Sequence, residues 1–185
     1  MSTSARKPEG MSMKEHEAGK TLREVTLERL GCGRLRDFYR MDITQEQRAY
    51  VGTRKTRLIR RTLESFGRGT IWLICRDGEA CGYLCLWIDP KIDQFTIAPF
   101  IIDQNHQREG IGRAALGIAC GKLFDAGAKT VRLAVHPENR AGIAFYEGAG
   151  FAFTGKKWGP TDHVMGLEKE VFLKLCGKCP AGLGE

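Results

Sequence analysis

Long apolar runs are missing from this chain. Nothing in its 185 residues approaches the roughly 20 consecutive apolar residues of a membrane-spanning helix. Residues 1–20 also lack the apolar core of a secretory signal, and their polar, helix-poor composition marks a flexible leader. A disulfide framework is not expected, because seven cysteines is an odd number and the chain otherwise reads as intracellular, with a cytoplasmic setting. Cys75, Cys81 and Cys85 fall in strand-like runs and read as small buried apolar residues. Cys176 and Cys179 form one C-x-x-C with no second pair and no adjacent histidine, half of what a structural zinc site takes, so no metal is expected.

Acidic excess is absent too, and the net charge is +7. Much of it lies in one helical segment, where Arg54, Lys55, Arg57, Arg60, Arg61 and Arg68 face a single Glu64. Arg54, Arg57, Arg61 and Arg68 follow helical spacing, with Leu58, Ile59, Leu63 and Phe66 as the apolar side. A solvated helix face is expected, with phosphate binding, for a cofactor or a nucleic acid, as the alternative. No aromatic residues interleave with these cations to form a stacking platform, so nucleic acid is not the expected partner.

What is present is a mixed α/β pattern. Leu22 to Thr26 reads as a strand, followed by helix through Phe38 and helical material from Gln45 to Phe66 broken near Gly52. Thr70 to Arg76 and Ala80 to Ile88 are strands joined by the hairpin signal Asp77-Gly78. Gln94 to Asp103 is a long central strand. Ile111, Ala115, Ile118, Ala119, Leu123 and Ala126 then recur at helical spacing, and Gly127 closes the helix. Thr130 to Val135 is a β-branched strand, Asn139 can cap a helix reaching about Glu147, and Phe151 to Lys156 and His163 to Leu175 supply the last strands. The order predicts one α/β (α+β) domain over residues 21–175, with helices on both faces of a mixed sheet and a tail over 176–185.

Between the central strand and its helix lies Gln107-Arg108-Glu109-Gly110-Ile111-Gly112-Arg113-Ala114. Two glycines one residue apart leave backbone N–H groups uncovered, and the helix adds the positive end of its dipole. That is an anion cradle suited to a diphosphate. A P-loop is excluded, because no Gly-Lys-Ser/Thr follows this loop. Gly110-x-Gly112-x-x-Ala115 matches a dinucleotide fingerprint, but the loop lies past mid-chain and the acidic residue expected about 20 positions on is missing. Coenzyme A is the remaining reading.

Two segments carry a family resemblance. Gln107-x-x-Gly110-x-Gly112 resembles the Arg/Gln-x-x-Gly-x-Gly/Ala signature of the GNAT superfamily of acetyl-CoA-dependent N-acetyltransferases. Asn139-Arg-Ala-Gly-Ile-Ala-Phe-Tyr146-Glu-Gly-Ala-Gly-Phe151, about thirty residues on, is similar to that family's second signature. The resemblance covers Leu22 to Leu175. Within the superfamily the chain is similar to bacterial diamine (spermine/spermidine) acetyltransferases at Gln45-Glu46-Gln47, Ile102-Asp103-Gln104, Pro137-Glu138-Asn139 and Phe151-x-x-Thr154-Gly155.

The resemblance implies acetyl-CoA as co-substrate and a mostly antiparallel sheet whose central strand pair splays at a bulge after Phe100. It implies that backbone groups of Gln107, Arg108, Glu109, Gly110, Ile111, Gly112 and Arg113 hold the diphosphate. Pantetheine then pairs with the strand around Ile102 and meets Asn139, a residue that also reads as a plain helix cap. Arg108-Glu109 departs from the family's frequent Gly-Lys, and an acidic side chain beside a diphosphate is expected to lower affinity. Tyr146 matches the general acid that protonates the leaving thiolate, beside its other reading as a core aromatic next to Phe145 and Phe151. The general base stays open among Asp103, His106, His136, His163 and Asp162.

The implied activity is acetyl transfer to a primary amine of a small molecule, with a polyamine as one acceptor, and homodimers are common in the family. A polyamine favours an acidic cleft, for which Asp42, Glu46, Asp89 and Asp93 are available. Against it stand Lys156, Lys157 and the basic helix. The alternative is a non-catalytic CoA-binding regulatory or basic interaction protein of the same fold.

Overall fold

The protein is described by a computed structural model covering residues 24–50 and 54–177. The leader at 1–20, the break near Gly52 and Cys179 lie outside the described residues.

Strand β2 (Gly69–Arg76) sets the plan of the sheet. Its apolar run alternates between two cores: Ile71, Leu73 and Cys75 join Phe38, Leu58 and Tyr83 on one face, while Ile74 joins Leu116 and Leu123 on the other. A run with no polar side is what burial on both faces demands. Asp77 and Gly78 both take positive φ, 52° and 81°, the two-residue turn that matches strand twist, and lead into β3 (Glu79–Asp89).

Before β2 come β1 (Val25–Arg29) and three short helices, α1 (Leu35–Arg40), α2 (Gln45–Tyr50) and α3 (Lys55–Glu64). After β3, a single 3-10 turn leads into β4 (Gln94–Ile102), and then α4 (Ile111–Asp125), β5 (Thr130–Val135) and α5 (Arg140–Gly148) follow. The described chain closes with β6 (Ala152–Trp158), β7 (Asp162–Glu168) and α6 (Lys169–Cys176). Among the described residues the sheet has seven strands in the order β1-β2-β3-β4-β5-β7-β6, and β4–β5 is its parallel pair. Buried residues of α4, including Ala115, Leu116 and Leu123, fill one core, and Phe38 of α1 with Leu58 of α3 fills the other. No described helix is long and apolar enough to cross a membrane.

Four expectations are corrected. Among the described residues, which leave out Leu22, the first strand is Val25–Arg29 and so runs past Thr26, and a 3-10 turn and a short helix come after it. The segment His163 to Leu175 is not one strand: pairing with β5 ends at Glu168, and the rest turns helical so that Phe172 packs on Phe124, ring centroids 5.0 Å apart. Leu63 and Phe66 are not on a buried side. They are 76% and 92% exposed: Leu63 lies on the solvent side of α3, and Phe66 lies past its end at Glu64, where it turns the chain at φ 51°. Lastly, the bulge precedes Phe100. The β3–β4 register shifts between Leu84 and Leu86, opposite Ala98 and Pro99, where proline has no N–H to give the ladder.

Candidate functional site

The β4–β5 pair carries one registered backbone partnership, Thr96 with Arg132. Beyond it, β4 stays with β3 while β5 turns to β7, pairing Ala134 with Val164 and Val135 with His163. The result is a V-shaped slot. The Asp103 N–H donates to the Cys81 carbonyl at 2.8 Å, so by the alternation of an antiparallel ladder Ile101 points its backbone groups at β3. Phe100 and Ile102 therefore turn theirs to the slot. Gln107 Nε2 donates to the Ile102 carbonyl at 3.1 Å and to Gln47 Oε1 at 3.1 Å, tying the loop to α2.

At the splayed end of the slot, past Ile102, α4 begins. Gly110 sits at its N-cap with φ 79°, a conformation in which a side chain is strained. The first residue to donate back along the helix is Ala114, to the Gly110 carbonyl at 3.2 Å. The N–H groups of Gly110, Ile111, Gly112 and Arg113 thus precede the helical ladder at the positive end of the dipole. A Cβ on Gly112 would lie 3.5 Å from both Ile102 and Phe145, so the helix start lies close against the slot wall. Arg108 also takes positive φ, 66°, and is exposed. Arg113 donates to the Gly148 carbonyl at 2.8 Å, bracing the start of α4 against the end of α5.

Glu109 does not face this cradle alone. Its carboxylate pairs with Arg76, and the same contact raises the Arg76 pKa through the hydrogen bond to Glu109. The local charge that threatened a diphosphate is neutralised by the residue that ends β2. Arg76→Ala is expected to weaken CoA binding about fivefold at low salt, and less as salt is raised. Adding Glu109→Gln to it should restore the wild-type Kd, measured by titration calorimetry.

The slot opens sideways into a cavity of about 340 Å³. Phe100, Val135, His136, Asn139, Tyr146, Trp158 and Asp162 line it on the β4–β5 and β7 sides, and Gln47, Tyr50, Leu58, Arg61 and Trp87 on the α2–α3 side. Asn139 caps α5, its Oδ1 accepting from Gly142 N–H at 2.9 Å, and it also reaches the cavity. The Tyr146 ring meets Phe145 and Phe151 edge-on, with centroids 5.2 and 6.0 Å away. It is half-buried and lines the cavity, and burial pushes its hydroxyl up to about 12. The hydroxyl is therefore a proton donor throughout the neutral range.

The five candidates for the base separate. Asp103 is buried, and its carboxylate accepts from the N–H groups of Asp42 at 2.7 Å and Asn105 at 2.9 Å. It fastens loops outside the cavity. His106 joins it in a second cleft with Arg40 and Glu79. His163 packs edge-on against Phe153 at 5.8 Å and does not line the cavity. Only His136 and Asp162 do. The His136 ring lies 5.3 Å from that of Tyr50, and its Nδ1 accepts from Glu138 N–H at 3.3 Å, which leaves the proton on Nε2.

Three of the four carboxylates expected to build an acidic cleft do not line the cavity. Asp42 pairs with Arg48 at 2.5 Å, Asp89 with Arg68 at 3.2 Å and Asp93 with Arg132 at 3.0 Å, and none of the three lines the cavity. The Glu46 side chain lies outside what is described. Arg76 and Trp87 border the loop and the cavity and are passed over by pattern reading, whereas Arg61 is one of the helical cations read above as a solvated face. Arg76 has one sequence signal, a lone cation closing an apolar strand; Trp87 looks like an ordinary strand residue.

Comparisons with known proteins agree with this geometry. The acetyltransferase (GNAT) family profile matches residues 32–151. The ribosomal protein bS18-alanine N-acetyltransferase of Escherichia coli K12 is 38% identical over 86 residues, 45% of this chain and 57% of that one. The mycothiol acetyltransferase of Kytococcus sedentarius is 36% identical over 90 residues, 46% of this chain and 29% of that one. The chain thus spans about half or less of the curated relatives it matches. The structure of spermidine N-acetyltransferase from Vibrio cholerae, in complex with CoA and spermine, superposes with a TM-score of 0.66 at 18% identity, covering 80% of this chain and 98% of that one. At that identity it speaks for the fold.

Proposed function

The chain belongs to the acetyltransferase (GNAT) family, and from that premise we propose that it transfers the acetyl group of acetyl-CoA to a primary amine. The observation that carries this reading is Tyr146: a protonated hydroxyl lining the cavity where slot and acceptor side meet, with no hydrogen bond of its own among the described residues. The co-substrate fits the residues present. N–H groups of Gly110, Ile111, Gly112 and Arg113 hold the diphosphate, as do those of Gln107, Arg108 and Glu109 just before them. Pantetheine lies along Phe100 and Ile102 as an added strand, and Asn139 contacts it from α5.

In the reaction the amine nitrogen forms a bond to the acetyl carbon and the carbon–sulfur bond breaks. A thiol of pKa about 8.5 leaves as a thiolate, and Tyr146 gives it a proton. An ammonium acceptor must shed two protons: one goes to a base before attack, and the other returns to Tyr146 by way of the new amide nitrogen. We assign the first to Asp162, which lines the cavity, whereas Asp103 is occupied elsewhere. His136, which presents N–H rather than a lone pair, is placed to donate.

The test is release of free CoA thiol from acetyl-CoA with spermidine, spermine, an aminoglycoside, amino acids and a short peptide with a free N-terminus. Turnover on any of these supports the reading. Tight CoA binding with no turnover on all of them would instead support a non-catalytic CoA-binding protein of the same fold.

A further inference from the structure

We propose that the acceptor carries an anionic group a few bonds from its amine, so that it is a zwitterion of the amino-acid kind rather than a polycation, and that Arg61 selects it. The inference rests on the reading of the cavity as the acceptor site.

Arg61 lies on α3 and lines the cavity. Its guanidinium stands over the Trp87 ring, 5.1 Å from the centroid. Trp87 is itself fixed: its indole N–H donates to the Ala98 carbonyl at 2.8 Å, and its ring packs so tightly on Gly69 that a Cβ there would come within 2.6 Å. A guanidinium over a rigid indole is attracted to its face and keeps its N–H groups for an anion, which a guanidinium can meet with two parallel bonds. No carboxylate among the described side chains pairs with it. Its neighbour Arg60 has Glu64 at 3.6 Å, whereas Arg68 and Arg48 have Asp89 and Asp42.

Arg61 is also in the wrong place to serve the cofactor diphosphate. Trp87 pairs with Thr96, and the glycine loop begins beyond Ile102. Six residue steps along β4, at about 3.3 Å each, put roughly 20 Å between the two ends. The cation therefore belongs to the acceptor half. The same cavity is also lined by Asp162, at the start of β7 and across the β6–β7 ladder from Trp158. One carboxylate for an ammonium and one guanidinium for an anion, in a cavity of about 340 Å³, describe a small molecule with both charges. A polyamine would place a second ammonium against Arg61, and like charges at close range in a partly enclosed site repel.

The experiment compares 4-aminobutyrate, n-butylamine and putrescine, acceptors of equal chain length that differ in the far end. For the wild-type chain, kcat/KM for 4-aminobutyrate should exceed that for putrescine by about tenfold or more, and Arg61→Gln should reduce that ratio about tenfold through KM. Arg57→Gln, on the same helix and outside the cavity, controls for a general charge effect and should leave the ratio unaltered. A wild-type preference for putrescine, or an Arg61→Gln ratio equal to wild type, overturns the proposal. Calorimetric titration of the three amines into the CoA-saturated chain reads the same selectivity without turnover. Selective binding of 4-aminobutyrate with no acetylation would sink the transfer reaction and keep the anion-selective cavity. Acetylation with the reverse selectivity would do the opposite.

Discussion

Tyr146→Phe is expected to lower kcat by about two orders of magnitude while changing the Kd of CoA by less than about twofold. The ring stays between Phe145 and Phe151, so packing is kept and only the hydroxyl is lost. The measurement is steady-state CoA release beside calorimetric CoA binding, and unchanged kcat would remove Tyr146 as the acid. The pH dependence adds a second handle. Burial holds this hydroxyl protonated up to about 12, so as pH rises the donor form persists until that value and is lost only beyond it. The wild-type rate should show no falling limb attributable to Tyr146 below about pH 11. Stability carries the same signature. In the unfolded chain this proton leaves near 10, so between about 10 and 12 the native state binds more protons, and stability falls as pH rises through that window. Tyr146→Phe should remove that part of the alkaline loss.

Asp162→Asn is expected to cut kcat/KM by about a hundredfold at neutral pH, because the acceptor then arrives as an ammonium with no carboxylate to take its proton. The loss should shrink as pH approaches about 10, where a primary amine near the lysine value deprotonates in solution. Asp103→Asn serves as the comparison. It disturbs a carboxylate that accepts from Asp42 and Asn105, so it should lower the thermal midpoint without a pH-dependent rescue of rate. Rescue by high pH in the Asp103 variant and none in the Asp162 variant would exchange the two assignments.

Much of this site is legible in the sequence where function rests on backbone conformation. Gly110 and Asn139 announce themselves because a left-handed N-cap and a side-chain cap each admit few residue types, and those residues sit at fixed offsets from periodic helices. Tyr146 is reachable through its spacing from Asn139. The base is not legible, since Asp103 and Asp162 are both carboxylates at strand ends and differ only in what folds against them. Three of the four carboxylates expected in an acidic cleft fail for the same reason. Asp42, Asp89 and Asp93 find Arg48, Arg68 and Arg132, and the last two pairings join residues 21 and 39 positions apart. Local pattern has no access to such partnerships. The bulge falls a few residues from its expected place because its cause, a proline in mid-strand, lies before Phe100 rather than after it.

The single backbone partnership between β4 and β5 has a mechanical consequence. It divides the sheet into a four-stranded panel, β1 to β4, and a three-stranded panel, β5 to β7, joined along a tear line that α4 spans. An occupant lying along that line adds rungs where the polypeptide supplies almost none. Amide exchange at Phe100 and Ile102 should therefore slow when CoA binds. Under load the empty molecule should part first between these two panels.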